Sequence, residues 1–236
     1  SVATPPQLPR GGVLADDMGM GKTVTLAALL LAQRGATLVV CPLSVLPVWE
    51  DQLRTFAPDL TVHTYHGAGK NSSAAFLLGF DVVLTTYKTL AQGSLKGVPW
   101  HRVVLDEAHE IRNYKAAQAL ACVQLRAEVR WCVTGTPLIN KIGDIYGLVS
   151  FLQIQPFSEL KWWRRMIERP AQAGNLQGVT RLCQLLGDFL LRRTKALQVK
   201  GPDGSSRPIL QLPERVNKVE RLPLSGDERK LYDRLF

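Results

Sequence analysis

Long apolar runs are missing from this sequence. The longest, residues 26–32, falls far short of the roughly 18 residues needed to cross a bilayer, so the reading includes no membrane. No basic stretch followed by an apolar one opens the chain, and no secretory leader is read. Cysteine is scarce: Cys41, Cys122, Cys132 and Cys183 stand far apart and form no CxxC pair. That argues against a zinc site and fits reduced thiols acting as small apolar side chains. There is no internal repeat and no low-complexity tract, and a content of 46% apolar, 21% charged and 7% aromatic residues is ordinary for a globular chain. An initiator methionine is lacking, and residue 236 falls inside a predicted helix. The expectation is a fragment of a longer protein.

What is present in excess is positive charge, and it is unevenly placed. The net charge is +9; residues 1–150 hold 13 Lys and Arg against 11 Asp and Glu, whereas residues 151–236 hold 16 against 9. A basic half joined to a near-neutral half suits a polyanion partner.

Hydrophobic patterning predicts alternating strands and helices through the first 150 residues. Strands are expected at 12–15, 36–41, 81–85, 102–105 and 129–134, with a weaker one at 60–65, and helices at 23–33 and 46–56. Continuous β-branched runs with chemistry-bearing loops after them specify an α/β fold, a parallel sheet flanked by helices. From about residue 145 the texture turns helical, with helices over 157–169 and 179–191. Residues 201–207 read as a turn, 209–212 and 215–222 as a strand returning to the sheet, and 225–236 as a helix opened by a Ser225/Glu228 capping box. The domains read as 1–150 for the lobe, 151–208 for a helical protrusion, and 209–236 for the return strand and the start of the next helix.

The most specific signal is Gly19-Met20-Gly21-Lys22-Thr23 between a strand and a helix. Backbone N–H groups of such a turn wrap phosphates, the lysine supplies charge for the β- and γ-phosphates, and the hydroxyl of Thr23 suits Mg²⁺. The usual GxxxxGK[ST] spacing asks for Gly where this chain has Asp16, and a Gly-rich turn that only caps a helix is the plain alternative. Further on, Asp106-Glu107-Ala108-His109 follows the buried run 103–105. There a carboxylate can hold Mg²⁺ through water, and the next can orient or deprotonate an attacking water. Alone, DEAH reads as an ordinary charged loop. In this order with GKT, it reads as a nucleotide hydrolysis site.

These segments resemble the first RecA-like, P-loop lobe of the SWI/SNF type of superfamily-two helicase-like ATPases. DDMGMGKT resembles motif I, in which an acidic residue occupies position 16. Residues 38–56 resemble motif Ia and its helix, 82–90 motif Ib, 103–113 motif II and 132–140 motif III, while 189–195 (FLLRRTK) and 212–215 also match. DDMG, CPLSVLPVW, the WW-R segment at 162–164 and RRTK point to the branch of the helicase-like transcription factor and the postreplication-repair translocases. The resemblance implies that Asp17, Met18, Gly19, Met20, Gly21, Lys22 and Thr23 bind ATP, that Thr23 and Asp106 hold Mg²⁺, and that Lys22, Asp106 and Glu107 serve hydrolysis. It implies that His109, Thr134, Gly135 and Thr136 couple this site to DNA, and that Pro42, Leu43, Ser44, Thr85, Thr86 and Tyr87 meet one DNA strand. For Thr85 and Thr86, β-propensity at a strand end is the plain alternative; for His109 it is a half-buried polar side chain.

Trp162 and Trp163 read as hydrophobic staples onto the lobe rather than base-stacking platforms, and Arg164 and Arg165 as phosphate contacts or an exposed face. Arg192 and Arg193, with Lys195, have two open readings, a structural-electrostatic role and contact with DNA. The implied partners are double-stranded DNA, chromatin or replication-fork proteins, and a second RecA-like lobe, in the nucleus. The adenine-reading glutamine motif and the second lobe's arginine fingers are not in these residues, so weak nucleotide binding and little DNA-stimulated hydrolysis are expected of this chain alone. Two rival readings stand beside this one: an RNA helicase of the DEAH type, and a nucleotide-dead scaffold that binds DNA or protein.

Overall fold

Runs of β-branched residues, closed by Pro, Gly and polar loops, build the sheet. The computed structural model describes residues 10–136, 141–200, 204–209 and 217–235. Its strands are β1 (Gly11–Leu14), β2 (Thr37–Cys41), β3 (Val62–Thr64), β4 (Val82–Thr86), β5 (Pro99–Asp106), β6 (Arg126–Val133) and β7 (Leu190–Leu191). All neighbours pair in parallel, in the order β3-β4-β2-β5-β6-β1-β7. Between β1 and β2 the chain crosses two strands, β6 and β5. This places a switch of strand order beside the carboxyl ends of β1 and β5, where ligands bind in open α/β sheets.

The helices are α1 (Lys22–Ala32), α2 (Leu46–Phe56), α3 (Ala74–Leu77), α4 (Tyr87–Leu90), α5 (Ala117–Val123), α6 (Ile142–Leu152), α7 (Leu160–Trp163), α8 (Arg169–Gln172) and α9 (Leu176–Phe189). A 3-10 turn spans Ala108–Ile111 and a π-helical stretch Arg164–Glu168 joins α7 to α8. Because strand side chains alternate, each strand serves two cores. Val39, Cys41, Val82, Leu84, Val104 and Val133 face α1 and α2, which bring Leu26, Leu30, Trp49 and Leu53. Leu38, Val40, Val83, Val103, Leu105 and Cys132 face the other core, which includes residues of α5 and α6. Of the three apolar residues at helical spacing in α2, Trp49 and Leu53 are fully buried, and Phe56, at the last turn, points out with 51% exposure.

The helical segment after residue 150 shares the second core. Trp163, Ile167, Leu182, Leu185 and Phe189 are buried in the same cluster as Val13 and Ala15. Trp163 is the staple: it lies 5.8 Å from the Tyr146 ring, which meets Tyr114 edge-on at 4.9 Å. Trp162 faces outward, and Arg164 donates to the Tyr114 hydroxyl at 3.1 Å.

Two expectations need correcting. The helix predicted to reach residue 191 ends at Phe189, and Leu190–Leu191 turns into β7 against Val13 and Leu14. Two positions at the sheet edge thus gain ladder bonds that a helix end would forgo. Of the predicted return strand, residues 217–222 form no strand, and 210–216 lie outside the described residues. The chain divides into two units, residues 1–195 and 196–236. In the second, β8 (Gln198–Lys200) pairs antiparallel with β9 (Ser206–Pro208), and α10 (Gly226–Leu235) begins at the predicted box. Ser225 N–H donates to Glu228 Oε2 at 2.8 Å, and Glu228 N–H to Ser225 Oγ at 3.4 Å.

Candidate nucleotide site and the adjoining groove

The loop after β1 is shaped by two glycines. Gly19 and Gly21 take φ of 83° and 74°, a left-handed conformation that side chains resist. Gly21 is the N-cap of α1 and no side chain caps that end, which leaves first-turn N–H groups and the positive end of the helix dipole for an anion. Lys22 folds inward, its Nζ donating to the Asp16 carbonyl at 2.8 Å and the Asp17 carbonyl at 3.2 Å. Thr23 is half-buried in the first turn, Met20 is half-buried, and Met18 and Gly19 are exposed.

Asp16, the residue that breaks the usual phosphate-loop spacing, is fully buried. Its carboxylate accepts from Arg193 Nε at 3.1 and 3.0 Å, from Arg193 Nη2, and from the Arg193 backbone N–H at 2.9 Å. Burial pushes the Asp16 carboxyl up, but the bonds and charge of Arg193, with Lys22 adding to them, bring it below the ordinary carboxylate range. The bond to Asp16 raises the Arg193 guanidinium in turn. Arg193 is thereby tied to Asp16 within the lobe. Arg192 stands 3.8 Å from Asp17 and is about half exposed.

At the end of β5 the chain sets two carboxylates in contrasting settings. Asp106 is 7% exposed. Its Oδ2 accepts from Trp49 Nε1 at 2.7 Å, and its Oδ1 from the Glu107 N–H at 2.9 Å. Burial pushes the Asp106 carboxyl above its ordinary value, against the pull of Trp49, the Glu107 N–H, Lys22 and His109. Tyr87 donates to the Asp106 carbonyl at 2.7 Å, and burial pushes its phenol well above the ordinary range. Glu107 adopts φ 48°, ψ 50°; a left-handed non-glycine residue costs on the order of 1 kcal/mol and is tolerated chiefly at functional turns. Its side chain is only partly buried, and His109 Nδ1 lies 3.2 Å from its Oε2.

The segment after β6 closes the corner. Thr134 N–H donates to the Leu14 carbonyl at 3.1 Å, and Thr136 N–H to Thr134 Oγ1 at 3.1 Å. A Cβ on Gly135 would stand 2.9 Å from Met18 Cγ and 3.7 Å from Lys22 Nζ, so this glycine lets the β6 loop approach the phosphate loop. His109, Thr134 and Thr136 line one small crevice with Arg112 and Asp144. Residues 137–140, the tail of the motif III segment, lie outside the described residues.

The structure thus brings Asp16, Asp17, Lys22, Asp106, Glu107, His109 and Gly135 to one corner. Arg192 and Arg193 stand at the corner against Asp17 and Asp16, whereas Pro42, Leu43, Ser44, Thr85, Thr86 and Tyr87 are set apart, at the ends of β2 and β4. There a groove of about 510 Å³ is lined by Pro42, Leu43, His66, Lys70, Lys88 and Gln92 among others. Leu43 and Ser44 are exposed, but Thr85, Thr86 and Tyr87 turn inward. The Thr85 hydroxyl donates to the Tyr65 carbonyl at 2.9 Å, and Thr86 caps α4, its Oγ1 accepting from Thr89 N–H at 3.2 Å. These hydroxyls hold the strand end and the cap. The cations that face the groove, Lys70 and Lys88, escaped the sequence reading.

The SNF2-related domain matches residues 5–236. The chain belongs to the SNF2-related domain family. Within that family it is 41% identical to the helicase-like transcription factor of Mus musculus over 84% of this chain and 20% of the relative. It is 35% identical to DNA repair protein RAD5B of Arabidopsis thaliana over 99% of this chain and 22% of the relative. The chain spans about a fifth of the length of these curated relatives. Among solved structures, the Sulfolobus solfataricus SWI2/SNF2 ATPase core in complex with dsDNA superimposes with a TM-score of 0.69 at 34% identity, covering 78% of this chain and 40% of that one. For this SNF2-related chain the sequence reading missed two residues that hold the corner together. Trp49 was placed in the core without its bond to Asp106, because one apolar face of α2 hid a polar contact. Asp16 was noticed as a spacing anomaly, and its partner lay 177 residues away.

Proposed function

We propose that this chain is the first motor lobe of an ATP-dependent double-stranded DNA translocase, of the chromatin-remodelling or DNA-repair type. The observation that carries the reading is the corner itself: Lys22, Asp106 and Glu107 stand together at the carboxyl ends of β1 and β5, beside an uncapped helix N-terminus. The donor set suits a nucleoside triphosphate with Mg²⁺. Among the described residues Lys22 donates to two backbone carbonyls, which an ammonium exchanges readily for the stronger charge of phosphate oxygens. Thr23, through its hydroxyl, and the buried Asp106, through water, would hold Mg²⁺, and the ion would neutralise phosphate charge.

This chain's residues then divide the work. Trp49 and the Glu107 N–H fix the orientation of Asp106, as outer partners of metal-binding carboxylates do. Glu107, more exposed than Asp106 and set by its left-handed turn, orients and deprotonates the water. His109 lies between Glu107 and the crevice of Thr134 and Thr136, a short path from hydrolysis to the β6 loop. Closure of a second lobe over this corner, and its reopening, would move the pair along one strand of the duplex seated on the β2–β4 groove. The nucleus, and chromatin or replication-fork proteins as partners, follow from the family resemblance.

The test is ATP hydrolysis by a polypeptide carrying this lobe and a second one, with and without duplex DNA, beside Glu107→Gln. Stimulation by duplex DNA, lowered at least about 100-fold in the variant, supports the reading. Stimulation by RNA alone favours the RNA helicase. A flat trace from folded protein favours the scaffold, although the intact Lys22, Thr23, Asp106 and Glu107 argue against it.

A further inference from the structure

The strap that follows β7 runs alongside the phosphate loop. Ala15 N–H donates to the Leu191 carbonyl at 2.8 Å, and Asp17 N–H to the Arg193 carbonyl at 3.1 Å. In the other direction Arg193 N–H donates to Asp16 Oδ1 at 2.9 Å, and Lys195 N–H to Asp17 Oδ2 at 3.3 Å. With the forked Asp16–Arg193 pair, these bonds fix residues 191–195 against residues 15–17.

The strap carries one more ammonium to the loop. A Cβ placed on Gly19 would stand 3.8 Å from Lys195 Nζ and 4.0 Å from its Cε. Gly19 is exposed, left-handed and three residues before Lys22, and Lys195 is exposed as well. We propose that Lys195 is a second phosphate-binding cation of the nucleotide site, presented over Gly19 by a strap that the Asp16–Arg193 pair holds in place. The inference rests on the reading of residues 16–23 as a nucleotide site. Lys22 reaches the loop from α1 and Lys195 from the strap, so a polyphosphate there is gripped by two ammonium groups from different elements. Ammonium groups bind phosphate as point charges that need no fixed fork geometry. A strap already ordered by backbone bonds loses less freedom when its side chain engages. Arg193 is a positioning residue in this arrangement, acting through Lys195.

The experiment compares the parent chain with Lys195→Ala, Lys195→Arg and a distant control, Lys161→Ala. Two quantities are read: the Kd for a fluorescent ATP analogue with Mg²⁺, and the melting temperature without nucleotide. The expected result is binding about tenfold weaker in Lys195→Ala, an unchanged melting temperature, and near-parent affinity in Lys195→Arg and in the control. Equal affinity of Lys195→Ala and the parent overturns the proposal, and so does a lowered melting temperature with unchanged affinity, which would leave Lys195 a part of the strap only. A folded parent chain that binds no analogue overturns the phosphate-loop reading first and this inference with it.

Discussion

The β1–β5–β6 corner and the β2–β4 groove lie on the same edge of one sheet, yet they are wired in opposite ways. At the corner three charges are tied before any ligand arrives: Asp16 to Arg193, Asp106 to Trp49 and a backbone N–H, Lys22 to two carbonyls. In the groove the hydroxyls are turned inward, Lys70 donates to the Gly67 carbonyl and lies over the Tyr65 ring, and Lys88 stands exposed. Fixed charges suit chemistry, where donors and acceptors must be in place as charge develops. An exposed cation such as Lys88 suits a backbone that slides past, since phosphate contacts position a duplex without reading it. The difference follows from which side chains the fold spends internally.

Breaking the Asp16–Arg193 tie should affect the corner most. Arg193→Met leaves a buried carboxylate without its partner, a loss of about 3–5 kcal/mol for a fully buried pair. With the Arg193 side chain 33% exposed, solvent screening reduces this to about 2–3 kcal/mol. Chemical denaturation checks it, and duplex binding at the groove should be unchanged once the variant is folded. The gap should also depend on pH. Asp16 sits below its ordinary value in the folded chain, so the stability it contributes is complete above about pH 4 and is lost as pH falls through the lower folded value. Parent and variant should therefore converge in acid, and a gap that widens there would contradict the tie.

A narrower change is Trp49→Phe, which keeps most of the buried ring and removes the donor to Asp106 Oδ2. It should cost about 1–2 kcal/mol and push the Asp106 carboxyl higher still, weakening Mg²⁺-dependent nucleotide binding while leaving the groove untouched. The smallest effect belongs to the groove. Lys88→Ala should weaken duplex binding about threefold, equally for all sequences, and flatten its salt dependence, with nucleotide affinity unchanged. A sequence-dependent loss would mean that the groove reads bases.

The central strands were legible from the apolar runs 38–41, 82–84 and 103–105, and 46–56 was legible because its helix has one apolar face. The phosphate loop and Asp106-Glu107 were legible as motifs. Long-range polar ties were not: nothing local to Asp16 names Arg193, and Trp49 looks like any core residue of α2 until β5 is placed beside it. The bonds of Thr85 and Thr86 were hidden for a related reason, since a hydroxyl at a strand end shows neither face in sequence. The edge strand Leu190–Leu191 is too short to leave a period, and only its partner β1 reveals it.

The central claim is tested most directly by titrating MgATP into the 236-residue chain and into Lys22→Ala, with duplex binding measured on both. The account predicts saturable nucleotide binding that the variant loses, at unchanged duplex affinity. Equal nucleotide binding by the two proteins, or none by the folded parent, would contradict it.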